Sequence, residues 1–406
     1  MLRVESVEDT ISIIIDNFSD YTIASELIEL NHSSGRVVTS DIYSNYNIPD
    51  FDRSTVDGYS IVASDSFGTS DSIPAEFKVV GSVAMGDISH CVVESGKAVY
   101  TPTGASIPDG ADGVVMIEYA DELSNNVILV NKSISPGENI IKTGSDIKKG
   151  SLVVKQGTVL KSIHLGLLAS IGVSRVEVRK KIKAGIIITG DEIISPECEL
   201  KKGQIRNSNG YFLYGALIEM GVEPVNYGII EDNYDSILTL VQAALENCDM
   251  VILTGGSSVG LQDHTSKVID ALGTPGVLVH GISVKPGKPT IIGKSKGKPV
   301  IGLPGHPAAV VTITNYFVRK IIDVMQSNTT IPQSIHACMG INYGSNNGRA
   351  EFLPVQLQVI DNQTIAYPIT GRSFQLFNLA QSDGFIVIPS DCEGLAQGAE
   401  VTVYAI

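Results

Sequence analysis

Apolar positions along the chain change rhythm several times, and each change marks a different kind of element. Val7, Ile11, Ile14, Ile15 and Phe18 recur at the spacing of one helix face, and Ser6-Val-Glu-Asp9 precedes them as a capping box. A second helix is expected through "ASELIELNH" (24–32), ended by "SSGR". From residue 51 to 135 short β-branched runs ("FKVVGSV", "GKAVYT", "GVVMIEYA", "NNVILVNK") alternate with Gly, Pro, Asp and Asn turns, the texture of a small mostly-β module. "SPGENIIKTGSDIKKGSLVV" and a short helix at "IHLGLLASIG" then read as a return to the first domain. That domain would be discontinuous, 1–50 and 136–180, with the β module (51–135) inserted.

From 181 to 327 the pattern becomes strand, loop, helix. "KAGIIITG", "VEPVNYGII", "DMVILTGG", "VLVHGI", "PTIIG" and "KPVIGLPG" read as strands. "SNGYFLYGALIEMG", "NYDSILTLVQAALEN", "DHTSKVIDALG" and "HPAAVVTITNYFVRKIIDVMQ" read as helices. Such alternation predicts a doubly wound, largely parallel sheet covered by helices on both faces. Short strands return from 328 to 406 ("EFLPVQLQVI", "TIAYPI", "GFIVIPS", "AEVTVYAI"), as in a small C-terminal β-barrel-like domain. The fold class is therefore multidomain, α/β plus β.

Charge narrows the function. The net charge of −15 argues against nucleic-acid or anionic-membrane partners, which need a basic face. It leaves carboxylates for a hard divalent cation. The five cysteines are scattered without zinc-ligand spacing, and their odd number argues against a secreted disulfide framework. The acidic start is unlike a signal peptide, and no apolar run approaches the ~18–20 residues of a spanning helix. A cytoplasmic location is expected.

In a doubly wound sheet, ligands bind beyond the carboxyl ends of the strands. Four unusual loops fall there: "TGDE" (189–192), "GIIEDN" (228–233), "TGGSSVGLQD" (254–263) and "LPGHP" (303–307). Gly255, Gly256 and Gly260 would let the backbone approach a phosphate, Ser257 and Ser258 would add hydroxyl donors, and the following helix start would add free N–H groups. A plain Gly-rich turn with Asp263 as helix cap is the alternative. "KPGKP" (285–289) places Lys285 and Lys288 on a proline-stiffened stretch suited to an oxyanion, or on an ordinary solvated turn. Asp191, Glu192, Asp232 and Asp263 could hold Mg²⁺ through a few ligands and water, or could cap helices. The seven histidines show no metal spacing, and no Walker A, G-x-S-x-G or G-x-G-x-x-G motif is present.

Taken in order, "TGDE", "GQIRNSNG", "TGGSSVGLQDHT", "KPGKP" and "GLPGHP" resemble the molybdopterin molybdotransferase family, MoeA, shared with the E domain of gephyrin. "GRVVTSDI", "PDFDRSTVDGYS", "YTPTGASIPDGADGVVMIE" and "PGENIIKTGSDIKKG" extend the resemblance over essentially the whole chain. It implies a four-domain subunit with a molybdopterin-binding α/β domain, forming a homodimer. The implied reaction joins molybdate to adenylylated molybdopterin with release of AMP, aided by Mg²⁺. Glu192, Asp232 and Asp263 would hold Mg²⁺ or a reacting water, and Lys285 and Lys288 would offset oxyanion charge. Thr189, Gly190 and the Gly-Ser turn (Gly255, Gly256, Ser257, Ser258) would bind substrate, with Pro304, Gly305 and Pro307 lining the cleft. Asp57, Thr103, Glu118 and Asp146 match residues that in the family reach across the dimer, so the active site would be shared.

Arg349 and Ser373 approximate positions near the molybdate pocket. The sequence departs from the family at His306, often Asn, and at Gly281, where some members carry Lys. It departs again at Pro354 and Asn378, where Arg and Ser are common. The implied partners are small-molecule substrates, a second copy of the chain, and transiently other cofactor-biosynthesis proteins. Two alternatives remain at this point: an adenylyltransferase-type enzyme using the same α/β module, and a gephyrin-like scaffold.

Overall fold

A computed structural model describes residues 4–255, 259–329, 334–346, 348–369 and 376–405, with the side chains of 259–263 outside that description. The chain forms two compact units: residues 1–39, 157–161 and 176–406, and residues 40–156 and 162–175. Elements of the first unit are numbered below in chain order.

Helix α1 (Val7–Phe18) starts where Ser6 Oγ accepts the Asp9 N–H at 3.0 Å. It buries Val7, Thr10, Ile14 and Phe18, the face that its 3.6-residue period predicts. The helix expected over 24–32 is not formed. Ser25–Glu29 is a strand paired with Arg175–Arg179, and only Leu30–His32 coils, as a 3₁₀ turn. Along "SELIE" burial alternates every second residue, and Ser25 Oγ reaches Glu177 at 2.5 Å. Cross-strand pairing overrides the local helical preference here.

The main sheet has six strands: β1 (Lys183–Thr189), β2 (Glu223–Ile230), β3 (Met250–Gly255), β4 (Gly276–His280), β5 (Ile291–Ser295) and β6 (Lys298–Leu303). Their order is β2-β1-β3-β6-β5-β4. The first four in that order run parallel, and β5 and β4 close the edge antiparallel. Every residue of β3 is buried, and in β1 only Lys183 is exposed. That requires cover on both faces. Ile186, Ile188 and Ile252 pack with helix α2 (Ser208–Glu219), α5 (Pro307–Ile313) and α1. Ile187, Val251 and Leu253 point the other way, into α3 (Tyr234–Asn247) and α4 (Val259–Ala271). Beyond α5 a π turn, Thr314–Val318, interrupts the expected long helix before Arg319–Gln326.

Five further strands of this unit close into a barrel: Ser334–Met339, Ala350–Ile360, Gln363–Pro368, Gly384–Ile388 and Glu400–Ala405. Ala350–Ile360 makes the closure, pairing with Gln363–Pro368 along one half and Gly384–Ile388 along the other. Val284–Lys285 pairs in parallel with Ala350–Glu351 at its edge. No helix among the described residues is long and apolar enough to cross a membrane.

The second unit holds a six-stranded sheet in the order Gly113–Met116, Gly58–Ile61, Lys97–Thr101, Ala75–Ser82, Val127–Val130, Ala120–Leu123. Tyr59, Ile61, Phe77, Val115 and Ile128 form its core. Gly58 has no room for a side chain, since a Cβ there would stand 1.9 Å from the Val115 carbonyl oxygen. Gly58→Ala should therefore destabilise this unit by about 2 kcal/mol or more, seen as a lowered melting transition; an unchanged transition would contradict the close packing.

Candidate functional site

Strand register builds the site. Thr189 pairs with Ile230 and with Gly255, and Thr254 pairs with Leu303, so four parallel strands end in one row. The four loops singled out in the sequence leave from that row. Gly190 sits at φ +142°, and a Cβ there would lie 2.9 Å from Glu192 Oε2. Its N–H donates to the Ile230 carbonyl at 3.3 Å, and its carbonyl accepts from Ile193 at 3.1 Å. The "TGDE" turn therefore folds back tightly over β2.

Helix capping does not account for the carboxylates. Asn233, not Asp232, caps α3 through its Oδ1 and the Ser236 N–H at 2.9 Å. Helix α4 begins at Val259, so Asp263 lies inside it rather than at its cap. Among the described residues, three buried polar atoms here have no hydrogen-bond partner: Thr189 Oγ1, Asp232 Oδ1 and His264 Nδ1. Burial holds the Asp232 carboxyl above its usual range; His264 opposes that shift, and Asp191 and Glu192 add to it. The Asp232 N–H reaches Asp191 Oδ1 at 3.4 Å. Unpaired buried polar atoms are costly, so a cluster of them at the mouth of a sheet marks where a ligand would repay the cost. Among the described residues no group of three or more His, Cys, Asp or Glu could hold a metal ion. The Asp263 side chain, and all of Gly256, Ser257 and Ser258, lie outside the described residues.

Beside this row is a cleft of about 220 Å³ lined by Glu192, Arg206, Asn207, Asn209, Gly255, Gly305, His306 and Pro307, among others. Asn209 Nδ2 donates to the Gly305 carbonyl at 2.9 Å and approaches Thr254 Oγ1 at 3.4 Å; Thr254 Oγ1 donates to the Pro304 carbonyl at 3.2 Å. One side chain thus ties the β3 and β6 loops together. Asn207 caps α2 through the Gly210 N–H at 2.9 Å. Arg206, Asn207 and Asn209 were not among the residues predicted. Their signal was "IRNSNG", a cation and two asparagines where a strand passes into a helix. A wider hollow of about 560 Å³ on the second unit, lined by Tyr59, Tyr100 and Glu122 among others, receives nothing from the four loops.

The two lysines of "KPGKP" differ. Both are exposed, but Lys285 Nζ is anchored 2.8 Å from Glu351 Oε1. Arg349 is exposed two residues before Glu351, and Ser373 lies outside the described residues. Gly281 has φ +102°, a conformation unfavourable to any side chain.

In the second unit Asp57 Oδ1 accepts from the Thr103 N–H at 2.8 Å and from Thr103 Oγ1 at 3.1 Å. Ile117 N–H donates to the Asp57 carbonyl at 2.9 Å, which brings the turn bearing Glu118 beside them. Asp146 N–H donates to the Ile48 carbonyl, on a different loop. All four side chains are exposed.

Three family models cover most of the chain: the MoeA N-terminal region (domains I and II) at residues 5–172, a probable molybdopterin-binding domain at 185–323, and the MoeA C-terminal region (domain IV) at 337–406. A putative molybdopterin biosynthesis protein of Methanocaldococcus jannaschii is 31% identical, spanning 100% of this chain and 98% of its own. A molybdopterin molybdenumtransferase of Bacillus subtilis is 32% identical over 94% of this chain and 90% of its own. The crystal structure of a molybdopterin biosynthesis MoeA protein from Pyrococcus horikoshii superposes with a TM-score of 0.87 at 31% identity, covering 99% of this chain and 100% of that one.

Proposed function

The chain belongs to the MoeA family, and on that premise we propose that it is a molybdopterin molybdotransferase, inserting molybdate into adenylylated molybdopterin with release of AMP. The observation that carries the site is the row of strand ends with its unpartnered atoms, Thr189 Oγ1, Asp232 Oδ1 and His264 Nδ1. They lie where a doubly wound sheet binds its ligand.

The roles follow from position and charge. Gly255 and the turn after it, with the N-terminus of α4, would receive the phosphates through backbone N–H groups. Thr189 and Gly190 would floor the pocket, and Pro304 would join Gly305 and Pro307, which line the cleft, in its wall, with Asn209 holding the Gly305 carbonyl. Arg206, at the cleft, would meet a phosphate or the nucleotide. Lys285 and Lys288 would offset charge at the oxyanion, and Arg349 and Ser373 remain proposed contributors to the same role.

The donor set suits Mg²⁺, because carboxylate oxygens are its preferred protein ligands and Asp232 presents a buried oxygen with no other partner. Glu192, Asp232 and Asp263 would hold it, and when bound it would neutralise charge at the phosphoanhydride. Asp232 would otherwise orient the attacking oxygen nucleophile. Asp57, Thr103, Glu118 and Asp146 would come from a partner subunit, making the enzyme a homodimer with a shared site. A cytoplasmic location, with transient contacts to other cofactor-biosynthesis proteins, fits a protein handling a labile cofactor. The domain limits proposed are 1–50 with 136–180, 51–135, 181–327 and 328–406.

The test is reconstitution. Pure protein with adenylylated molybdopterin, Mg²⁺ and low molybdate should release AMP only when molybdate is present, and Asp263→Ala should abolish that release with its circular dichroism unchanged. No release with any divalent metal would remove the transferase assignment.

A further inference from the structure

Glu351 is charged, yet its exposure is only 5%. A carboxylate so placed persists only if donors surround it. Three do: Lys285 Nζ at 2.8 Å and Tyr343 OH at 3.0 Å on Oε1, and Ser345 Oγ at 2.5 Å on Oε2. Burial alone would raise the Glu351 carboxyl, but Lys285, Ser345 and Tyr343 outweigh it and hold the group below its usual value. Burial, and then the Glu351 charge, push Tyr343 up to about 12, so it remains a donor at neutral pH.

The backbone brings the pair together. Lys285 and Glu351 are Cα partners in the parallel pairing of Val284–Lys285 with Ala350–Glu351. The Ala350 N–H donates to the Ser283 carbonyl at 3.0 Å, and Ser283 Oγ donates to the Gly348 carbonyl at 3.2 Å. The barrel strand therefore fixes where the carboxylate stands, and the carboxylate fixes the end of a long, otherwise mobile side chain. Lys285 keeps a side-chain exposure of 46%, so the anchored ammonium is still open to a second anion.

We propose that Glu351 is a positioning residue acting through Lys285: it holds the ammonium at the place where an oxyanion substrate meets it. This rests on the role proposed above for Lys285. Glu351 need not touch the oxyanion. Its contribution is to order four rotatable bonds of lysine before the anion arrives.

The experiment is a double-mutant cycle on molybdate binding by the full-length protein, measured by equilibrium dialysis, with molybdate-dependent AMP release as a second readout. Glu351→Gln keeps the shape and an acceptor and loses the charge; it should weaken molybdate binding about tenfold, and raise the KM for molybdate in proportion, with kcat at saturating molybdate changed less than about twofold. In a Lys285→Ala background the same substitution should change binding by less than about twofold. Glu351→Asp retains the buried charge and retracts it; it gives the same test with an intermediate loss should the Gln variant fold poorly. Equal losses in both backgrounds would overturn the proposal, as would a loss of kcat with an unchanged KM, or a wild-type protein that binds no molybdate. A closed binding cycle without AMP release would overturn the transferase assignment and leave the positioning role standing.

Discussion

Asp232→Asn is expected to lower molybdate-dependent AMP release by about a hundredfold or more while leaving the fold intact or slightly more stable. The two effects share one cause. Asp232 Oδ1 is buried without a partner, and burial with the charges of Asp191 and Glu192 raises its carboxyl above the ordinary 3.8. The folded state therefore binds this proton more tightly than the unfolded state does. The sign follows: the penalty for the ionised form is fully present above the raised pKa and is relieved as pH falls through it toward 3.8.

Asn carries no such charge, so the variant should melt about a degree or two higher at neutral pH. It should also lose that part of the pH dependence. An acid kept at a cost in stability, in a row of other unpartnered atoms, is what a site that awaits a cation or phosphate requires. Retained activity in the variant would remove Asp232 from the mechanism. Lost activity with a lowered melting temperature would make it a structural residue.

Glu351 shows the opposite linkage. Its carboxyl is lowered from 4.5 by Lys285, Ser345 and Tyr343 against the opposing effect of burial, so its contribution is present above 4.5 and lost as pH falls through the lowered value. The two carboxylates belong to the same unit. One is satisfied by the protein and the other is not, and only the second calls for a ligand.

The parallel sheet was legible because its core strands are apolar on both sides. Consecutive isoleucines at 186, 187 and 188 leave no polar face, which points to a strand covered by helices front and back. The position of the loops was legible as well, because the register ends four parallel strands in one row where those loops leave. "ASELIELNH" was misread because its Leu, Ile and Glu residues suit either period, and pairing with Arg175–Arg179 decides the outcome. Asn209 was missed because its role is to join two loops, Thr254 and Gly305, that only the folded sheet brings together. The Lys285–Glu351 pair spans 66 residues and depends on a strand pairing that no local pattern announces. Nor does a residue's type reveal whether its hydrogen bonds are made. Thr189 and Asp232 became distinct from other loop Thr and Asp only when their unpartnered atoms were seen.

Mixing two inactive variants should restore activity. Asp57 is exposed and tied to Thr103 by two hydrogen bonds, so Asp57→Ala should abolish AMP release without unfolding its unit. Asp232→Asn is expected to inactivate through a residue of the other unit. If each site takes Asp57 from one subunit and Asp232 from its partner, a mixed dimer holds one site with both residues intact and one with neither. Random pairing of equal amounts makes half the dimers mixed, so about a quarter of wild-type activity should return. Co-expression with two different affinity tags would isolate the mixed dimers, which should then reach about half of wild type. If Asp57 and Asp232 instead served one site within a single chain, every subunit in the mixture would carry one lesion, and no pairing could restore release. With the circular dichroism of each variant unchanged, the measurement therefore separates a shared site from an internal one.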